Sequence, residues 1–157
     1  MIINANQIDV KTNVNDPNFN IWLESNLTII RELLSEGPWN KVGEVGQPAF
    51  QNSWANEGLA HSEDMAFRKH GIHHLEIIGH IVPGTTADGT VLFYLPELYW
   101  PYKRINVAGT SHNPTSKTVF YGIEISEVDG AVTVHGLPSN TDDVSMHFIV
   151  NLDNNGA

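Results

Sequence analysis

The sequence contains no cysteine among its 157 residues. Disulfides and thiolate metal sites are therefore excluded, and the fold must be held together by its apolar core. Basic residues are also scarce, because eight Lys and Arg stand against 18 Asp and Glu, a formal net charge of −10. A surface of that sign repels phosphate backbones, so we expect no binding to nucleic acid.

Long apolar runs are absent as well. No run approaches the roughly 18 residues that a membrane span needs, so no membrane insertion is predicted. The first residues, MIINANQIDVK, lack a basic segment followed by an apolar one, and we predict no signal peptide. A glycine-rich phosphate loop and a zinc-hydrolase helix motif are missing too, so we expect no cofactor.

One segment, residues 17–37, has the features of a helix. Asp16 suits the N-cap and Pro17 the first helical position, while Gly37–Pro38 would end the helix. The apolar residues of this segment form a stripe with the spacing of a coiled-coil seam. We predict that copies of the chain associate through this stripe, which consists of Phe19, Trp22, Leu23, Leu27, Ile30 and Leu34. A helix that lies on the core of its own domain is the alternative.

The segments on either side of this helix differ in character. Residues 1–16 are polar and rich in Asn, which predicts an arm without a core of its own. Residues 38–157 contain short β-rich runs separated by turn signals such as Asp129–Gly130. The runs are GIHHLEIIGHIVPG, TVLFYLP, RINVAGT, KTVFYGIEIS, AVTVHGLP and VSMHFIVNL. Without helices between them, they predict a mainly β chain whose head domain is an antiparallel, jelly-roll-like β-sandwich, with a hairpin at ISEVDGAVTV.

Three potential metal ligands lie on one predicted strand. In a strand, His74, Glu76 and His80 project to one face, and the first two lie about 7 Å apart. His80 is about 20 Å from His74 along the same strand, so one strand cannot bring all three to one ion. We therefore predict no metal site. His74, Glu76 and His80 remain candidates only if a further histidine joins them, namely His61, His70, His112, His135 or His147.

Catalytic constellations are likewise missing from the sequence. Ser111 and His112 are adjacent in the chain, whereas a nucleophile and its base normally come from separate elements. No strand–turn–helix elbow surrounds the serine. The adjacent acid pairs Glu63–Asp64 and Asp142–Asp143 diverge in an extended chain. We predict that the protein is not an enzyme.

The aromatic residues allow two interpretations. In FYLPELYWPYKR, the residues Leu95, Tyr99 and Pro101 would fix a corner where a strand passes into a loop. Alternatively, aromatic rings with polar neighbours would form a platform for a sugar ring. The candidate ligand-binding residues are Asn52, Trp54, Asn56, Trp100, Tyr102, His112 and Asn113.

Several motifs follow one another in an order that resembles a known family. The segments are WNKVG, PAFQNSWAN, MAFRKHG, LEIIGHIVPG and LFYLPELYWP. Together they resemble the β-sandwich modules at the C-termini of bacteriophage tail-fibre, baseplate and head-fibre proteins, which are common in phages of Gram-positive hosts. The resemblance covers residues 39–150 and rests on Trp39, Trp54, Phe67–Arg68–Lys69, Gly79 and Leu95–Pro96–Tyr99–Pro101.

The resemblance implies a structural protein of the virion. Such proteins are often trimers held by a short helical bundle before the sandwich, which implies a homotrimer joined through residues 17–37. It further implies that residues 1–16 attach to other virion proteins and that the head binds a host cell-surface saccharide. In this family context Phe50 and Trp54 would chiefly hold the first strands against the sandwich. A capsid decoration or connector protein without an obligatory ligand is the alternative, and a carbohydrate-active enzyme is a third interpretation.

Overall fold

The computed structural model describes residues 19–60, 62–71, 73–112, 118–139, 141 and 143–153, and the structural statements below concern these residues. The predicted arm at 1–16 and the predicted cap residues Asp16 and Pro17 lie outside them. The chain divides into two compact units, Met1–Ser35 and Glu36–Ala157.

The first unit contains helix α1, which spans Phe19–Leu34. The helix stops before the predicted Gly37–Pro38 end signal. Leu23, Leu27 and Ile30 of the predicted stripe are 37%, 36% and 41% exposed in the single chain. The side chains of the other stripe residues, Phe19, Trp22 and Leu34, lie outside the description. The described residues include no helix with the length and apolarity needed to cross a membrane.

The second unit is built from nine β-strands. Their bounds are β1 Asn40–Lys41, β2 Ala55–Asn56, β3 Ala66–His70, β4 His74–Val82, β5 Thr90–Tyr94, β6 Ile105–His112, β7 Thr118–Ile125, β8 Ala131–His135 and β9 Asp143–Asn151. A 3-10 turn, Glu97–Tyr99, follows β5. Every strand pair is antiparallel, and the strand order is β1-β3-β4-β9-β6-β7-β8-β5, with β2 on β4.

The sheet curls so that its two ends face each other. In the strand order β3 and β5 are six steps apart, which would separate them by about 29 Å in a flat sheet. Instead, the rings of Phe67 on β3 and Phe93 on β5 stack with their centroids 6.3 Å apart. One apolar core fills the space between the two halves. The head is therefore an antiparallel, sandwich-like β domain, and the predicted fold class is confirmed.

The predicted strands correspond to β4–β9, and the predicted hairpin is the antiparallel β7–β8 pair. Strand β3, AFRKH, is absent from the predicted set of runs. Its sequence has only two apolar residues, followed by three that can carry positive charge. It is a strand because Phe67 enters the core while Arg68 bonds to its neighbour on β4.

Candidate functional site

The Asn-rich loop before β2 is held by the core. Trp54 is 3% exposed and belongs to the core, and Phe50 meets Phe93 edge-to-face at 6.4 Å. The side chain of Asn56 accepts a hydrogen bond from the Met65 N–H at 2.8 Å and donates one to a backbone carbonyl. Since the Trp54 ring is covered, it offers no stacking face in this conformation. The implied structural role of Phe50 and Trp54 is confirmed.

The remaining predicted ligand residues lie at three other places. Asn52 occupies a turn with φ of +52° and donates from Nδ2 to the Val91 carbonyl at 2.9 Å. Trp100 donates from its indole to the Leu95 carbonyl at 2.7 Å, whereas Tyr102 is 64% exposed. His112 ends β6, but its side chain, like Asn113 altogether, lies outside the described residues.

The corner interpretation of FYLPELYWPYKR is confirmed. Leu95 and Pro101 are buried at the two ends of the corner. The Tyr99 ring meets Phe67 edge-to-face at 4.9 Å, and its hydroxyl accepts a hydrogen bond from the Asn40 amide at 3.0 Å. These contacts tie the segment after β5 to strands β1 and β3.

The metal candidates on β4 have different partners. Glu76 is 6% exposed and bonds to Arg68 and His147. His80 lies between two carboxylates, with Nδ1 3.6 Å from Glu57 and Nε2 3.4 Å from Asp143. Across the part of the chain that the structure describes, no three histidine or acidic side chains converge as metal ligands would.

A cleft of about 340 Å³ opens on the sheet face opposite the core. It is lined by Trp39, Lys41, Ser62, Glu63, Asp64, Ala66 and Ile78, and we call it the Trp39 cleft. Strand pairing explains its floor, because Lys41 lies opposite Ala66 and Ala66 opposite Ile78, which places all three on one face. Trp39 forms an aromatic wall and is 40% exposed.

The Trp39 wall is supported from beneath by Arg68. The guanidinium carbon of Arg68 lies 4.3 Å from the centroid of the Trp39 ring, which is cation–π geometry. Arg68 also donates from Nε to Glu76 at 2.7 Å and forms an ion pair with Glu36. Two carboxylates thus fix the guanidinium, and the guanidinium fixes the ring.

The charges of Arg68 and Glu76, which lie behind the Trp39 ring, compensate each other. Burial disfavours the charged form of both Arg68 and Glu76, yet their hydrogen bonds outweigh burial. The pKa of Arg68 is raised by Glu76 and Glu36, and the pKa of the Glu76 carboxyl is lowered by the hydrogen bonds from His147 and Arg68. Both groups are therefore charged at neutral pH.

The cation inside the Trp39 cleft is also paired. Lys41 Nζ lies 3.2 Å from Asp64 and 3.9 Å from Glu44. Glu63 lines the same cleft. The cleft thus combines an aromatic wall, an apolar floor and carboxylate oxygens that accept hydrogen bonds, which are the contacts that bind the two sides of a sugar ring.

Sequence reasoning used Trp39 only as a landmark of the family and did not place Lys41 or Asp64 in a site. The available signal was the two-residue spacing of Trp39 and Lys41, which in an extended chain places both side chains on the same side. Which face that is, and that Ala66 and Ile78 continue it, follows only from the pairing of β1, β3 and β4.

Comparison with known proteins is informative at the level of the fold. The sequence matches no protein-family model and no curated protein. The fold is similar to the crystal structure of the receptor binding protein (gp15) of Listeria phage PSA, with a TM-score of 0.58 and 12% sequence identity. The alignment covers 83% of this chain and 74% of that chain. The resemblance stated from the motifs is thereby confirmed at the level of the fold.

Proposed function

We propose that this chain is a component of a phage particle whose β head attaches the particle to the host surface by binding a saccharide. The observation that carries the proposal is the fold shared with a phage receptor binding protein over 83% of the chain. The protein would be located in the virion and would reach the outside of the host as part of it.

The Trp39 cleft supports a saccharide as the ligand. It is open on the outer face of the sheet and presents an exposed aromatic wall beside carboxylate acceptors. Among the residues predicted from sequence, Tyr102 is an exposed aromatic side chain outside this cleft, at 64% exposure. It is therefore the competing contact for a sugar.

Helix α1 supports association of copies of the chain, which the family resemblance implies to be a homotrimer. Leu23, Leu27 and Ile30 follow the four-three spacing of a seam and are exposed in the single chain. Burial of the surface that each of these side chains still exposes stabilises the assembly by about 1 kcal/mol. Three heads in one assembly would multiply weak saccharide contacts through effective concentration. Residues 1–16 would then attach the trimer to other virion proteins.

The proposal is tested with the fluorescently labelled full chain and purified cell walls from a panel of Gram-positive bacteria. We expect saturable binding to the walls of some species, and loss of that binding after chemical removal of the wall glycopolymers. Unlabelled protein competes in the same assay and provides the control for specificity.

Two other outcomes of this experiment would favour the two alternative functions. Incorporation of the chain into particles together with an absence of wall binding across the panel would support a decoration or connector protein. Release of soluble saccharide from the walls by the protein would support a carbohydrate-active enzyme.

A further inference from the structure

The charges around the Trp39 cleft restrict what it can bind. We infer that the cleft takes a sugar ring without anionic groups and discriminates against phosphate-bearing wall polymers. The inference rests on the proposed function, because it specifies the class of saccharide that the head would recognise.

Size and lining indicate a sugar ring. A volume of about 340 Å³ is at the lower end of small-molecule sites, enough for one or two rings. The Trp39 wall and the Ala66–Ile78 floor suit the apolar C–H face of a pyranose. Ser62, Glu63 and Asp64 complete the lining, and carboxylate oxygens accept hydrogen bonds from sugar hydroxyls.

Both cations near the cleft are already paired. Lys41 is held by Asp64 at 3.2 Å and by Glu44 at 3.9 Å. Arg68 is held by Glu76 and Glu36 and lies against Trp39. A phosphate would therefore meet no free cation among these side chains.

The remaining charges repel an anionic ligand. Glu63 adds a carboxylate to the lining, and the whole chain carries a formal charge of −10. Repulsion between these carboxylates and an anionic ligand lowers the affinity for that ligand. A neutral ring escapes this penalty and keeps both the stacking contact and the hydrogen bonds. The acidic side of the cleft thus determines specificity, while Trp39 supplies the contact area.

The direct test is nuclear magnetic resonance of the tryptophan indole N–H groups in the full chain. The probes are the methyl glycosides of glucose, galactose, rhamnose and N-acetylglucosamine, with poly(glycerol phosphate) as the anionic comparison. The Trp39 signal is assigned by its disappearance in Trp39→Phe. Trp54 is an internal control because it is buried in the core.

We expect at least one neutral glycoside to shift the Trp39 signal in a saturable manner and to leave Trp54 unchanged. Binding should be insensitive to salt, because no net charge is transferred into the cleft. Poly(glycerol phosphate) should bind at least about tenfold more weakly. If no glycoside moves the Trp39 signal at millimolar concentration, or if the anionic polymer binds more tightly, the inference is wrong.

Two variants test the separate roles of the wall and the acidic side. Trp39→Ala should weaken binding of the neutral glycoside by at least about tenfold. Asp64→Asn removes a partner of Lys41, and should raise the affinity for poly(glycerol phosphate) while lowering that for the neutral ring. Thermal unfolding of each variant checks that the head stays folded.

Phe120→Ala is the matched control, since it also removes an exposed aromatic ring. It should bind the glycoside and the cell walls as the parent does. Wall binding that survives Trp39→Ala and disappears in Tyr102→Ala would overturn this inference and leave the adhesion function standing. An absence of wall binding in the parent, with the glycoside still shifting Trp39, would instead contradict adhesion alone.

Discussion

Glu76 is a charged side chain with 6% of its surface exposed, on a strand between two others. Removing a carboxylate from water is costly unless hydrogen bonds and an opposite charge replace the water. Arg68 and His147 do so from the two neighbouring strands, at 2.7 Å and 3.0 Å. The same arginine supports the Trp39 ring. Glu76 therefore contributes to stability directly and to the Trp39 cleft through Arg68.

Glu76→Gln should lower the free energy of unfolding at neutral pH by about 2–3 kcal/mol, because it removes a charge-assisted buried pair. The pKa of Glu76 is lowered from its ordinary 4.5 in the folded protein. Its stabilisation is therefore present above that ordinary value and is lost as the pH falls through the folded pKa. Urea unfolding should show the gap between parent and variant closing below about pH 4.

The exposed Glu97→Gln is the control for this comparison and should match the parent at every pH. Arg68, Glu36, His70 and His147 are present in both proteins, so the difference isolates Glu76. A gap that stays constant down to pH 2 would contradict the assignment.

The turn of the β7–β8 hairpin packs against the corner after β5 at one residue, Gly130. Gly130 has φ of +70° and its N–H donates to the Ser126 carbonyl at 3.2 Å, which closes the turn. A side chain at Gly130 would overlap the Trp100 ring. Trp100 in turn donates to the Leu95 carbonyl. The turn thus fits against the corner after β5 only because glycine lacks a Cβ atom.

Gly130→Ala should therefore destabilise the protein more than Gly136→Ala. Gly136 has almost the same φ, +71°, but open space around it. The Gly136 variant loses only the free energy needed to hold alanine in left-handed backbone, about 1 kcal/mol. The Gly130 variant also overlaps the Trp100 ring, and its total loss of unfolding free energy should exceed about 3 kcal/mol. Urea unfolding of both variants measures the difference in their free energies of unfolding. Equal losses would show that overlap with the Trp100 ring does not destabilise the Gly130 variant.

The molecule consists of a helical unit, with apolar side chains exposed on α1, and a β head whose Trp39 cleft is the proposed ligand contact. In the proposed function each head binds a wall saccharide weakly, and linking heads raises the effective concentration of each. In the proposed assembly the stripe on α1 is what links them. Attachment would then depend on residues that never touch the ligand.

Leu27→Asp combined with Ile30→Asp should dissociate the assembly, because two charges cannot be buried in an apolar seam. Light scattering should report the mass of one chain, and apparent affinity for cell walls should fall by about 100-fold or more. Binding of a single glycoside at the Trp39 cleft should stay unchanged.

Ser25→Asp combined with Thr28→Asp adds the same charge on exposed positions of α1 outside the stripe. This control should keep the parental mass and affinity. If the stripe variant also keeps the parental mass, the helix does not join the copies.

Part of the fold and part of the site could be predicted from short windows of sequence. The segments β4–β9 have the β-rich composition of strands, and Asp129–Gly130 supplies turn residues between two of them, so local chemistry is enough to identify them. Trp54 was both a candidate ligand residue and, through the family resemblance, a structural residue, and its burial in the core supports the structural role. Strand β3 was missed because its charged residues are stabilised by partners on other strands.

By itself, the sequence determined the helix, the strands β4–β9, the mainly β class and the acidic net charge, because propensity, periodicity and charge are properties of neighbouring residues. Only the tertiary structure decided the strand order, the curl that brings Phe67 onto Phe93, and the outer face on which Trp39, Lys41 and Ala66 meet. Those features depend on pairing between distant segments, as the Glu76–His147 bond across 71 residues illustrates. A cleft is made by such pairing, so its residues become neighbours only when the sheet has formed.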